Sequence, residues 1–337
     1  MYNIGGVTMQ LPIIVGAGAC KKPADILPYM RADVSVGSVS FGSSTPDSSL
    51  GNEGTLFWPP SFSEFMEQGF GLNSFGMPNI GHARGAAELK RHSFMYPVIA
   101  SIAGSSPEDF VAGIRAFHDV PCVAAIKLNV GCPNKKERPV PIAYDLDLLS
   151  RILEAVAAVI KELQMKKPIW IKLSPYIKIW QRDAFQVLYP QIDFSQVPTV
   201  EPGFLGDVLA IIWEHQFFIR AVIFSNTLAN VIYRDESGKP VTTPNGGRAG
   251  FSGNILRPVN IDLIRQAATM LPGTIDLIES GGVSHGDHAV ECFEGGASAV
   301  CYTSGPFWSG NGPRFSSDFL SESEQLQNYL AQSSQLT

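Results

Sequence analysis

The chain has 337 residues, 45% hydrophobic and 17% charged, which allows a large core and excludes an intrinsically disordered protein. A net charge of −6 argues against a nucleic-acid or anionic-membrane surface, since both need clustered Lys and Arg. No apolar run approaches the ~18 residues of a membrane helix. The five cysteines have no C-x-x-C pair and no metal-ligand spacing with His, so no metal site is expected and reduced thiols in the cytoplasm are.

The first apolar stretch, Leu11–Ala19, runs into Cys20 in the outline of a lipoprotein cleavage site. No Lys or Arg precedes it as a signal peptide requires, so it reads as a buried strand, Pro12–Ala17. Further strands are expected at Val34–Ser40, Pro97–Ala103, Cys122–Val130, Ile169–Ser174, Ala221–Asn226, Ile275–Ser280 and Ala299–Thr303. Helical patterns lie between them at Pro107–His118, Asp145–Leu163, Phe204–Gln216, Asn260–Met270 and Asp287–Glu294. In Asp145–Leu163, Leu149, Leu153, Val156 and Ile160 recur at helical spacing. The strands are nearly continuous apolar runs, as parallel strands covered on both faces are. Eight units of roughly 37 residues, above the ~30 of a βαβ unit, predict an α/β fold: a (β/α)₈ TIM barrel over residues 1–315. Residues 316–337, rich in Ser and Gln, are expected to form one surface helix with a frayed end. Thr45–Ala83 and Tyr176–Pro202 exceed simple connections and are expected to serve as functional loops at the C-terminal face or as oligomer contacts, with a homodimer as the assembly.

Barrel active sites form at the C-terminal strand ends. Those positions carry Asn129-Val-Gly-Cys132-Pro-Asn134, Lys172, Asn226-Thr227, Gly281-Gly282 and Thr303-Ser304. Amides, a thiol and a lysine point to a planar, hydrogen-bonding small-molecule substrate beside an electron-rich cofactor. Gly281-Gly282 before a helix reads as a phosphate seat, with Gly250-Phe-Ser-Gly253 as a second glycine loop; a plain tight turn is the alternative. Lys172 sits in an apolar strand where an unpaired ammonium is costly, so it needs a functional partner or a barrel carboxylate. Cys132 alone could be inert; Asn129 and Asn134 beside it favour a chemical role.

These residues together resemble the dihydroorotate dehydrogenase family, flavin enzymes of pyrimidine synthesis. The resemblance runs from Pro12 to Thr303 through Asn73-Ser-Phe-Gly-Met-Pro-Asn79, the 129–134 loop, Ala143-Tyr-Asp145, Lys172-Leu-Ser-Pro-Tyr176, Asn226-Thr227, Gly250-Phe-Ser-Gly253 and Gly281-Gly-Val-Ser-His-Gly286. It implies an FMN whose phosphate is held at Ser252-Gly253, Gly281-Gly282 and Tyr302-Thr303, with Lys172 near flavin N1 and O2. It also implies that Asn73, Asn129, Asn134, Asn226 and Thr227 bind the substrate. Cys132 would take a proton from C5 while C6 delivers hydride to flavin N5. A cysteine here looks like the soluble class 1 enzymes; class 2 members use serine.

Three positions depart from the family pattern. The class 1 active-site lysine is missing, but Lys21 stands three residues after Ala17-Gly18, where class 2 members place theirs. The arginine usual shortly after Gly51-Asn52 is absent, and Tyr302 stands where glycine is common near the phosphate. The competing readings are a divergent paralogue acting on another cyclic amide, a Schiff-base barrel lyase using Lys172, and an idle flavin-binding subunit. The chain lacks the cysteine cluster of an iron–sulfur subunit and the N-terminal extension by which class 2 members reach quinone, which makes fumarate the first expected oxidant.

Overall fold

The computed structural model describes residues 1–31, 33–132 and 140–333. Eight parallel strands close on themselves: β1 (Ile13–Cys20), β2 (Ser38–Ser44), β3 (Val98–Ile102), β4 (Val123–Asn129), β5 (Ile169–Lys172), β6 (Ile219–Phe224), β7 (Asp276–Glu279) and β8 (Ala299–Tyr302). The seam between β8 and β1 pairs Cys301 with Ile14. The helices that follow these strands are α1 (Pro23–Ile26), α2 (His82–Leu89), α3 (Pro107–Phe117), α4 (Leu146–Leu163), α5 (Phe204–Glu214), α6 (Leu256–Met270), α7 (Gly286–Glu294) and α8 (Gly312–Ser321). The fold is the expected (β/α)₈ barrel.

Local sequence explains the helix limits. Ser106 and Asp109 close a capping box with Pro107 at the first turn of α3. Asp145 accepts from the Leu148 amide at 3.0 Å to start α4, whose Leu149, Leu153, Val156 and Ile160 are all buried.

Four features differ from the sequence expectation. β2 begins at Ser38 and ends at Ser44, four residues later than the Val34–Ser40 span, with every residue buried. Small serines suit a crowded barrel lumen as well as apolar residues do, so the apolar run does not mark the strand. The tail forms two helices: α8 begins at Gly312, before the expected boundary at 315, and a second spans Glu324–Ser333. That second helix lies on the surface with one face packed: Leu326 and Leu330 are buried and Tyr329 stacks on Phe293 of α7 at 5.1 Å, while Glu324, Gln325, Gln327 and Asn328 are exposed.

The third difference is an N-terminal hairpin, Tyr2–Ile4 against Val7–Met9, turned by Gly5 and Gly6 with φ of 54° and 78°. It plugs the lumen: Trp170 Nε1 donates to Gly5 O at 2.9 Å, and Gly5 N donates to Asp276 Oδ2 at 2.7 Å. Ile4, Val7 and Met9 share one apolar cluster with Ile14, Ile99, Ala125 and Trp170. The fourth is a five-stranded antiparallel sheet over the barrel, in the order Ile192–Asp193, Leu228–Tyr233, Ala249–Gly253, Phe70–Asn73, Phe57–Trp58. Both long insertions contribute to it, with the unexpected 228–253 pair at its centre. Phe70 stacks on Phe251 at 5.1 Å, which fixes Asn73 opposite Gly250. No helix among the described residues is long and apolar enough to cross a membrane.

Candidate active site

The C-terminal strand ends and the antiparallel sheet enclose a cavity of about 1270 Å³, counted with its open mouth. One wall is the loop after β7, Ser280 to Ser284, facing Ser252–Asn254 and the loop after β8, Tyr302–Gly305. Gly282 has a φ of +75°, and a Cβ there would lie 2.7 Å from the Gly253 carbonyl oxygen. Only glycine lets these two loops approach so closely. Arg257 of α6 donates to Gly282 O at 2.8 Å and holds the turn. Ala17 and Gly18 line the cavity from β1, beside Thr303.

The opposite wall is polar. Asn226 Nδ2 donates to Asn129 Oδ1 at 3.0 Å, and Asn226 Oδ1 accepts from the Thr227 amide at 2.9 Å. Asn129 Nδ2 donates to Ser43 Oγ at 2.9 Å, and Ser43 Oγ lies 2.7 Å from Ser101 Oγ. Asn73 Nδ2 reaches Gly250 O at 3.4 Å from the sheet above. Cys132, half-buried, lines the same cavity. Asn134 lies outside the described residues.

Three lysines reach the cavity, two from strands and one from just beyond β1. Lys172 Nζ donates to Ser280 Oγ at 3.0 Å. Burial pushes its pKa down against the pull of Cys301, Glu279 and Cys132. Glu279 does not form an ion pair with it; its carboxylate accepts from Asn260 Nδ2 at 2.9 Å, and burial raises its pKa to about 8. Lys21 lines the cavity while Lys22 is exposed, so the two adjacent lysines differ in environment. Burial lowers the Lys21 pKa, and Cys132 is the first group opposing that shift. The third is Lys127, whose Nζ donates to Ser40 Oγ at 3.1 Å.

The family model for dihydroorotate dehydrogenase matches residues 1–208 and 205–316. The chain belongs to the dihydroorotate dehydrogenase family. Among its relatives are two proteins named dihydroorotate dehydrogenase B (NAD(+)), catalytic subunit. The one from Enterococcus faecalis is 29% identical over 302 residues, covering 88% of this chain and 82% of the relative. The one from Methanocella arvoryzae is 29% identical over 300 residues, covering 88% and 84%. A dihydroorotate dehydrogenase (fumarate) from Lachancea kluyveri is 27% identical over 225 residues, covering 65% and 62%. The solved dihydroorotate dehydrogenase of Eimeria tenella in complex with ferulenol shares the fold, with a TM-score of 0.70 at 19% identity over 99% of this chain and 85% of that one.

Against the dihydroorotate dehydrogenase pattern, the two remaining departures have a visible structural setting. The Tyr302 ring packs into the helix layer, 5.3 Å from Phe315 and 4.9 Å from Phe319. Where the arginine is missing, Phe57 contacts Phe75 and Phe307 at 6.0 and 5.2 Å; Phe65, Phe75, Phe307 and Trp308 give the cavity an aromatic wall. Ser43, Ser101 and Lys127 are cavity residues that the sequence reading missed. Ser43 was lost with the β2 boundary. Lys127 offered the same signal as Lys172, a lysine inside an apolar strand.

Proposed function

We propose that the chain is a cytoplasmic, FMN-dependent oxidoreductase that oxidises dihydroorotate to orotate. The observation that carries this reading is convergence: a thiol, a paired-amide wall, two half-hidden lysines and a glycine seat open on one cavity. The residues suit an FMN. The close-packed Gly253–Gly282 loops leave room for backbone approach to a phosphate, and the half-buried Lys172 faces the cavity without an ion pair among the described residues. Bound FMN would supply the hydride acceptor at N5.

The chain's own groups do the rest. Asn73, Asn129, Asn226 and Thr227 present donors and acceptors to the N–H and C=O groups of the ring, with Asn134 as a further contact. Cys132 takes the proton from C5 as hydride leaves C6. The Lys21 ammonium attracts the thiolate form of Cys132 and replaces the missing class 1 lysine. Lys172 would lie beside a bound FMN and offer it a positive charge. Ser252, Gly253, Gly281, Gly282, Tyr302 and Thr303 would hold the phosphate of a bound FMN, with Ala17 and Gly18 as further contacts. Fumarate stands first among acceptors, with NAD⁺ next because relatives are named for it. A homodimer belongs to the same reading and is tested by sedimentation.

Anaerobic mixing with dihydroorotate tests the proposal: the flavin absorbance should bleach, and an acceptor should restore it. The aromatic wall supports a second reading, a relative whose cyclic amide carries an apolar part in place of the charge an arginine would meet. Under that reading the protein is yellow, but dihydroorotate leaves its spectrum unchanged.

A further inference from the structure

Lys127 differs from the other two cavity lysines. It is 1% exposed, and its one hydrogen bond among the described residues is to Ser40. Glu279, the buried carboxylate of β7, is engaged by Asn260 of α6 and interacts with Lys172. The charged or titratable groups facing Lys127 are Cys301 of β8, Lys172 of β5 and Lys21 beyond β1. No carboxylate is among them. A buried cation with like charges beside it and no counter-charge is strongly unfavourable, and an apolar side chain of equal length would be more stable there. Lys127 also lines the cavity, two residues below Asn129 on β4, so an anion entering the site is within its field.

We propose that Lys127 supplies counter-charge for the anion that forms when a bound FMN takes up hydride. The inference rests on the FMN reading above. In that reaction the substrate C6–H bond breaks with its electron pair leaving as hydride to N5. The C5 proton goes to Cys132, and the flavin ring is left with one negative charge over N1 and O2. Lys172 meets part of that charge; Lys127 meets it from deeper in the lumen. Burial and the like charges of Lys172 and Lys21 push the Lys127 pKa down to about 7. Its proton is therefore loosely held before reduction and tightly held after it, so that reduction draws a proton onto Lys127 from solvent.

The test uses sulfite, whose attack at N5 places the same negative charge on the ring without substrate or Cys132. The FMN-loaded wild type and Lys127→Met are titrated at pH 6, where the lysine is charged. A unit charge acting over ~7 Å at an effective dielectric of ~20 is worth roughly 50-fold. Lys127→Met should therefore weaken sulfite binding at least about tenfold and lower the flavin midpoint potential, at unchanged FMN content and with no fall in melting temperature. A flavin-loaded variant with unchanged sulfite affinity and potential overturns this inference alone. A wild-type chain that takes up no FMN overturns the proposed function and this inference with it. Lys127→Gln, which retains a donor toward Ser40, gives the same readout if the Met variant does not fold.

Discussion

The two halves of the barrel lumen use the same eight strands for opposite purposes. Near the N-terminal plug the inward residues are Ile99, Ala125 and Trp170, joined by Ile4, Val7 and Met9 in one dry cluster. Two residues further along the same strands the inward positions become Ser101, Lys127 and Lys172. Strand side chains alternate with period two, so a single step along each strand crosses from packing to chemistry. The lower half can be filled by any well-fitting apolar set. The upper half holds groups that a stable core would exclude, and their cost is carried by the half below.

The largest expected effect breaks the upper half at its reacting group. Cys132→Ala should retain flavin and lose roughly 10²- to 10⁴-fold in the rate of flavin reduction by substrate, as removal of a positioned base does. Stopped-flow absorbance measures it, and an unchanged rate would make Cys132 a bystander. The lower half should respond in stability. Trp170→Ala removes a fully buried ring and its bond to Gly5 O, and urea unfolding of the flavin-free chain should show a loss of about 3–5 kcal/mol.

A pH series sharpens the comparison, because the buried ionisable groups pull stability in opposite directions. Glu279, raised to about 8, keeps a proton that the unfolded chain loses above its ordinary value, so stability falls as pH rises from about 4.5 to 8. Lys127, lowered to about 7, lacks a proton that the unfolded chain still binds, so stability rises from about pH 7 to 10.5. Lys172 and Lys21 are shifted down as well and act in the same sense. Burial lowers His82 and His288 to about 4, so through them stability rises from about pH 4 to 6.5 and offsets the fall from Glu279 there. The Lys127 contribution is read as a difference: the wild type should gain stability over Lys127→Met as pH rises from about 7 to 10.5. A difference in urea midpoints that stays constant between about pH 6.5 and 9.5 would show that Lys127 does not matter. The smallest effect belongs to Asn226→Ala, which leaves the Asn129 carbonyl oxygen without its partner. A loss of ~1–3 kcal/mol corresponds to orotate binding weakened by about 5- to 150-fold at full flavin occupancy.

How far these features could be read from sequence follows from their physics. Parallel barrel strands are largely apolar, so seven of the eight stood out, as did the amphipathic stripe of α4; the serine-rich β2 was met only at Ser38–Ser40. Motif residues such as Asn129, Cys132 and Gly281-Gly282 occupy strand ends and are visible once the strands are placed. Ser43 and Ser101 were invisible because a serine inside a lumen looks like a serine in a loop. The hairpin strands within 2–9 have three residues each, too short for periodicity to register, although Gly5-Gly6 was a fair turn signal. The strand at 228–233 follows β6 so closely that its apolar run did not stand apart. Lys127 was legible and overlooked.

The hairpin plug has a consequence for the order in which the molecule is made. Gly5 finds its partner in Asp276, 271 residues later in the chain. At a synthesis rate of ~5–20 residues per second, that partner emerges roughly 14 to 54 s after the hairpin itself. Throughout that interval Ile4, Val7 and Met9 have no completed lumen to enter. A segment made early is thus sealed late, and the barrel's floor closes only after Asp276 has left the ribosome.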